Sequence, residues 1–366
     1  MKWSLKLGRF AGIDVYIHTT FLLLIGWVAF TYWLQTRTMA GTLEGIAFLL
    51  VLFLCVVLHE YGHALTARRY GIRTRDITLL PIGGLARLER IPEKPIEEFW
   101  VALAGPAVNV VIAAALFIYL SVTRTLEPFT GLSMAGGPFI ERLMSVNLSL
   151  VLFNIIPAFP MDGGRVFRAL IAMRTDYTRA THIAAVIGQG IAFLFGFIGL
   201  FTNPFLVFIA LFVWIGAAQE ASMVQMKSAL SSIPVGRAML TNFEMLSPQD
   251  TLARAVQLVL DGSQQDFPVR EGESVVGILP RGDLVTALST RDQNTPVSEI
   301  MRRDFDMVHP GDMLEPAFAR LQACDCHIFP VIQDKRLVGL LTMENIGEFL
   351  MLQSVMGSPR RMTIRG

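Results

Sequence analysis

This sequence is short of charge. Only 17% of its 366 residues are Asp, Glu, Lys or Arg, against roughly 25% in a typical soluble domain, and its mean hydropathy is +0.51. A chain so poor in solvated side chains points to a membrane environment. The formal net charge is +1, with no domain-wide basic excess, which argues against direct nucleic-acid binding. Three cysteines, Cys55, Cys324 and Cys326, are too few for a disulfide framework, and the last two are too close together to cross-link distant segments. No small-residue cleavage site follows the first apolar run, so that run reads as a retained spanning helix and not as a secretory signal.

Long apolar runs are what the chain has instead. Six spans are expected: about Ile17–Leu34, Gly45–Ala67, Phe99–Val122, a fourth starting near Leu143, then Ile183–Phe201 and Pro204–Met223. Most approach the roughly 20 residues that a bilayer crossing needs. The fourth is interrupted by Asn154, Pro157, Pro160, Asp162, Gly163 and Gly164. Residues 72–91 are too broken to span, because Pro81, Gly83, Gly84 and Pro92 divide short apolar pieces. They read as a membrane-associated β-hairpin or re-entrant loop whose edge strand can pair with an extended peptide. Arginines cluster after span two (Arg68, Arg69, Arg73, Arg75, Arg87, Arg90) and after span four (Arg165, Arg168, Arg174, Arg179). By the positive-inside rule both termini lie in the cytoplasm.

Ionisable residues at membrane depth are costly, so the few present are functional candidates. His59-Glu60-Tyr61-Gly62-His63 follows an apolar run. On a helix its two imidazoles share a face and can chelate one zinc ion, with Glu60 placed to act on a metal-bound water. A catalytic zinc usually takes three protein ligands. The best third candidate is Asp162, where two prolines loosen the helix and Asp-Gly favours a turn that aims the carboxylate inward. Asn154 offers amide donors for a reacting carbonyl.

From Lys227 onward the composition is that of a soluble domain containing an internal repeat. Met239 matches Met301, Leu252 matches Leu314, Phe267-Pro268-Val269 matches Phe329-Pro330-Val331, and Gly277 matches Gly339, every pair 62 residues apart. Two copies of one helix-and-strand unit imply a two-lobed α/β module with a pseudo-twofold axis. The expected organisation is a membrane domain over 1–226, repeats over 227–292 and 293–352, and a basic tail over 353–366.

These motifs, taken together, resemble the site-2 protease family of intramembrane zinc metalloproteases, in the six-span branch that carries a C-terminal pair of CBS domains. The resemblance implies a polytopic α-helical membrane domain with one Zn2+ held by His59, His63 and Asp162, water activated by Glu60, and the reacting carbonyl supported by Asn154. Gly83 and Gly84 resemble the hairpin that engages substrate. Ala104-Gly105-Pro106-Ala107-Val108-Asn109 resembles a family segment on the third span, where small residues also suit close helix packing. The implied substrate is a membrane-tethered protein such as a sigma-factor precursor, an anti-sigma factor or another transcription regulator. CBS pairs often bind adenine nucleotides, so ATP or AMP is expected between the lobes, and a homodimer through the CBS domains is possible. The ribose pattern is incomplete in both copies. The first keeps the carboxylate at Asp283, the better candidate, and the second keeps the hydroxyl at Thr342 but has Asn345 in place of the acid. A CBS-regulated zinc or ion transporter and an inactive protease-like nucleotide sensor are the competing readings.

Overall fold

The computed structural model describes residues 4–81, 83–89, 92, 94–123, 138–262, 264–324 and 328–356. The glycine-rich loop with Gly131, Gly136 and Gly137, together with Cys326 and most of the basic tail, lies outside them. The chain divides into two compact units, Met1–Val224 and Gln225–Gly366.

The first unit opens with a hairpin of β1 (Ser4–Phe10) and β2 (Ile13–His18). Two helices follow, α1 (Thr19–Thr36) and α2 (Met39–Arg69), and then β3 (Thr74–Leu80) and β4 (Gly83–Leu88). All four strands form one sheet in the order β1-β2-β3-β4, antiparallel except for the parallel pair β2–β3. The sheet is held to the helices by apolar contacts: Ile13 and Ile77 pack on Ala64 of α2, and Leu79 packs with Phe21 and Phe53. Residues 72–91 thus supply strands to a larger sheet, whose other half comes from the N-terminus.

Helices α3 (Pro95–Thr123), α4 (Phe139–Asn154), α5 (Asp162–Ala172), α6 (Tyr177–Phe201) and α7 (Pro204–Leu230) complete the bundle. Among the described residues four helices are long and apolar enough to cross a membrane, namely α2, α3, α6 and α7. Of the six expected spans, α1 has only 18 residues, with several polar ones near its ends, and α4 stops after 16. The reason for the second is local. Pro157 lacks an amide donor and disfavours helix in the residue before it, so the chain leaves helical geometry from Ile155 until α5 starts at Asp162.

Arg168 on α5 differs from its expected role as a surface arginine that marks topology. It is fully buried, ion-paired with Glu98 of α3 and, at 2.5 Å, with Glu220 of α7. Its guanidinium also lies 4.9 Å from the Phe159 ring and 4.8 Å from the Tyr177 ring. One side chain therefore fastens α5 to three other helices.

In the second unit the two copies exchange their leading segments. Residues Leu230, Ile233 and Val235 join the core of the second copy with Phe329, Val331 and Leu341, while Val297 and Met301 join that of the first with Phe267 and Leu279. The bridges Pro234–Met313 and Thr251–Pro296, and likewise Leu240–Leu340 and Ile278–Arg302, are related by the 62-residue shift with the partners swapped. This explains the matched Met and Gly positions. A β-carbon on Gly277 would lie 2.7 Å from Met301 Sδ, and one on Gly339 would lie 2.7 Å from Met239 Sδ. The glycines are flat places where the methionine of the leading segment lies down.

Breaking the buried ion pair from the arginine side leaves the Glu98 carboxylate with only the Tyr177 hydroxyl, which donates to it at 3.5 Å. Arg168→Met is expected to destabilise the solubilised protein by about 3–5 kcal/mol. Glu220, whose side chain is 25% exposed, has water available, so Glu220→Gln should cost about 1 kcal/mol or less. Thermal unfolding of the two variants side by side checks the order.

Candidate metal centre

Helix α2 carries His59 and His63 one turn apart, both buried. Their Nε2 atoms lie 3.1 Å from each other, and each lies 3.2 Å from Oδ2 of Asp162. Asp162 is the first residue of α5, in the turn where the helix dipole favours a carboxylate. The backbone that delivers it is tightly packed. A β-carbon on Gly164 would fall 2.6 Å from the Ala158 carbonyl carbon, and one on Gly163 would strike the carbonyl oxygens of Ile155 and Ile156. The Asp-Gly-Gly sequence is thus needed for α5 to start directly on the 155–161 turn, whose Ala158, Phe159 and Met161 are buried.

Three electron-rich atoms forming a nearly equilateral triangle fit a small cation. A tetrahedral zinc at roughly 2.0–2.2 Å from N and O donors needs them roughly 3.3–3.5 Å apart, close to what His59, His63 and Asp162 offer. Their donor chemistry, two imidazoles and one carboxylate, is that of catalytic zinc sites. His63 Nδ1 faces the Val101 carbonyl at 2.7 Å. A carbonyl only accepts, so Nδ1 carries the hydrogen and the Nε2 lone pair points into the triangle.

The open side of the triangle is closed by α3. A β-carbon on Gly105 would sit 2.6 Å from His59 Nε2 and would overlap His63 Nε2, while one on Gly62 would sit 2.6 Å from the Ala104 carbonyl oxygen. Gly62 lets the two helices approach, and Gly105 leaves the triangle empty of protein. The Ala104–Asn109 segment, which resembles a family segment and also suits close helix packing, borders the candidate site through Gly105.

Glu60, the next residue after His59, lies against β4: a β-carbon on Gly84 would be 2.6 Å from Glu60 Cγ. Gly83 pairs with Leu80 at the start of that strand and has φ 139, a backbone conformation that favours glycine. Since β4 ends the strand order, its outer edge has no paired strand among the described residues. Asn154 is engaged within its own helix. It closes α4 and its Nδ2 donates to the Leu150 carbonyl at 3.0 Å, the bond of an ordinary helix side chain.

Two buried amides stand behind His59, one closing the Ala104–Asn109 segment and the other not singled out in the sequence. Asn109 on α3 and Asn147 on α4 are 1% and 0% exposed, and Asn109 Oδ1 lies 2.9 Å from His59 Nδ1. Buried amides must be hydrogen-bonded. An Asn in an apolar span is therefore a signal in itself.

In the second unit the two lobes are unequal. Asp283, the better sequence candidate for a ribose, is instead held by Arg302, at 2.5 and 2.8 Å. The 62-residue shift puts Leu240 at the position equivalent to Arg302, and there a cavity of about 650 Å³ opens, lined by Leu240, Phe243, Thr342, Asn345 and others but not by Asp283. Thr342 donates to Asn345 Oδ1 at 2.6 Å within it. Five carboxylates (Glu244, Asp261, Asp266, Glu344, Glu348) and one cation, Arg254, also line this cavity.

The profile of peptidase family M50 matches residues 47–136 and 133–197, and the CBS domain profile matches residues 231–290 and 297–351. Zinc metalloprotease MJ0392 of Methanocaldococcus jannaschii is 32% identical over 314 residues, covering 83% of this chain and 88% of the relative. Rip3 of Mycobacterium tuberculosis is 31% identical over 329 residues, covering 82% and 80%. The solved site-2 protease from Methanocaldococcus jannaschii aligns with 60% of this chain and 95% of its own at 36% identity and a TM-score of 0.44.

Filling the space kept by Gly105 tests the triangle directly. Gly105→Ala is expected to lower bound zinc at least tenfold, read by elemental analysis of the purified protein. A variant that retains a full equivalent would show that the triangle is not where metal binds.

Proposed function

The chain belongs to peptidase family M50, and from that premise we propose that it is an intramembrane zinc metalloprotease, cleaving a membrane-tethered protein within or beside its transmembrane segment. The observation that carries the reading is the convergence of His59, His63 and Asp162 within 3.2 Å, with Glu60 adjoining it under the edge strand β4.

Zinc, when bound by these three residues, supplies a Lewis acid that makes water a competent nucleophile at neutral pH. The protein's own residues do the rest. Glu60 accepts the proton from the attacking water and returns it to the leaving amine. A substrate helix hides its peptide groups in hydrogen bonds, so its cleaved segment must be extended. The free edge of β4 holds such a segment as an added strand. Gly84 keeps that edge against Glu60, which brings the added strand to the carboxylate. Asn154 donates to the scissile carbonyl after giving up its bond to Leu150.

Helices α1 and α4 cross the bilayer with the other four, making six spans. Arg68 and Arg69 in the last turn of α2, with Arg73 and Arg75 just beyond it, support a cytoplasmic placement of the β-sheet, of both termini and of the second unit. Substrates of this class are sigma-factor precursors, anti-sigma factors and tethered transcription regulators. The repeats at 227–292 and 293–352 act as a regulatory CBS module, and they also offer a homodimer contact. An adenosine ligand there enters the cavity at Thr342 and Asn345, because Arg302 occupies the Asp283 carboxylate. The carboxylate-rich lining favours a nucleoside without phosphates over ATP.

Two outcomes are expected. Glu60→Gln retains zinc and abolishes cleavage of a co-expressed single-span substrate; cleavage at the wild-type rate would overturn the proteolytic reading. Adenosine raises the melting temperature of the full chain, and Thr342→Val removes that rise while Asp283→Asn leaves it. A rise lost only with Asp283→Asn would assign the ligand to the other lobe.

A further inference from the structure

A line of three hydrogen bonds runs from His59 across two helices and ends on a backbone carbonyl. Asn147 Nδ2 donates to the Leu143 carbonyl at 2.9 Å, Asn109 Nδ2 donates to Asn147 Oδ1 at 3.3 Å, and Asn109 Oδ1 faces His59 Nδ1 at 2.9 Å. An amide considered alone can be turned either way. A line that ends on a carbonyl cannot, because the carbonyl only accepts. It draws the NH2 of Asn147 toward Leu143, which turns the oxygen of Asn147 toward α3. That oxygen draws the NH2 of Asn109, which turns the oxygen of Asn109 toward His59. His59 Nδ1 then has to donate, and Nε2 is left as a bare lone pair inside the triangle.

We infer that Asn147 is a positioning residue for the metal centre: acting through Asn109, it fixes the tautomer of His59 that can bind a cation. This rests on reading the triangle as a zinc site. Asn147 touches none of the three ligands. His63 reaches the same state in one step, through the Val101 carbonyl, whereas the carbonyls of α3 do not serve His59, and the polarity is imported from α4. With both amides almost wholly enclosed, water is not at hand to substitute for a lost partner.

Without the Asn147 oxygen, Asn109 is free to turn its NH2 toward His59. The proton of the imidazole then moves to Nε2 and blocks the lone pair. Leucine at position 147 has nearly the shape of asparagine and no polarity. A carboxyl group there keeps an acceptor toward Asn109 in either protonation state.

The test measures zinc affinity of the purified full-length protein by competition with a chelator. Asn147→Leu is expected to weaken binding 10- to 100-fold, the usual effect of removing a partner of a metal-bound histidine. Asn147→Asp is expected to stay within about threefold of wild type. The double variant N109D/N147L, in which a carboxylate in place of the Asn109 amide presents only acceptors to His59, should recover at least tenfold over N147L. A residue that only packs gives the opposite order, with leucine tolerated and aspartate harmful, and that result overturns the inference. If N147L does not fold, as judged by thermal unfolding of the metal-free protein, a tenfold loss in N147D alone overturns it. A wild-type protein that binds no zinc would instead overturn the metal reading of the triangle.

Discussion

Three electron-rich atoms at 3.1–3.2 Å from one another repel unless a cation or a proton lies between them. Much of the membrane-type unit can be understood as the means of holding them there. Gly62 brings α3 against α2, and Gly105 keeps the space open. Gly163 and Gly164 let α5 begin directly on the turn that precedes it, so that Asp162 arrives from the opposite side. Arg168 then pins α5 through Glu98 and Glu220. These restraints come from four different helices, and each acts at short range. Their sum is a site in which small displacements matter, because the surrounding packing has little room to relax.

The apolar runs made the helices legible in the sequence, since a spanning helix must satisfy its backbone internally and shows itself by length and composition alone. The His59–His63 spacing was legible for the same kind of reason: it depends only on helix geometry. Asp162 was found because prolines and an Asp-Gly pair broke an otherwise apolar segment. What could not be read were contacts made across long stretches of chain. The pairing of β2 with β3 joins residues on either side of two helices. The exchange of leading segments in the repeats depends on which copy of a repeated pattern each segment chooses, and two similar copies offer similar surfaces. Asn109 and Asn147 carry no spacing rule, and what each amide faces shows only once α2, α3 and α4 are packed together.

The second unit shows how two copies of one structural unit come to differ. One pair of positions bears directly on the cavity. Where one has Asp283 and Arg302, locked together at 2.5 Å, the other has Asn345 and Leu240 beside an open cavity. A bidentate arginine–carboxylate pair is among the stronger side-chain contacts available to a surface-proximal site. It occupies the carboxylate of one lobe, while the cavity of the other stays open.

The parallel pairing of β2 with β3 has a consequence for how the chain threads a bilayer. β2 leads straight into α1, and α2 leads, after a short turn, into β3. Because the two strands are hydrogen-bonded side by side, from Asp14–Asp76 to Ile17–Leu79, the helix pair between them must return the chain to the side from which it departed. The number of crossings made by α1 and α2 together is therefore even. This parity is imposed by backbone hydrogen bonds and owes nothing to the distribution of arginines. It also orders assembly: the N-terminal hairpin has to wait at the surface, its inner edge unfilled, until both helices have been laid down and β3 emerges to complete the sheet.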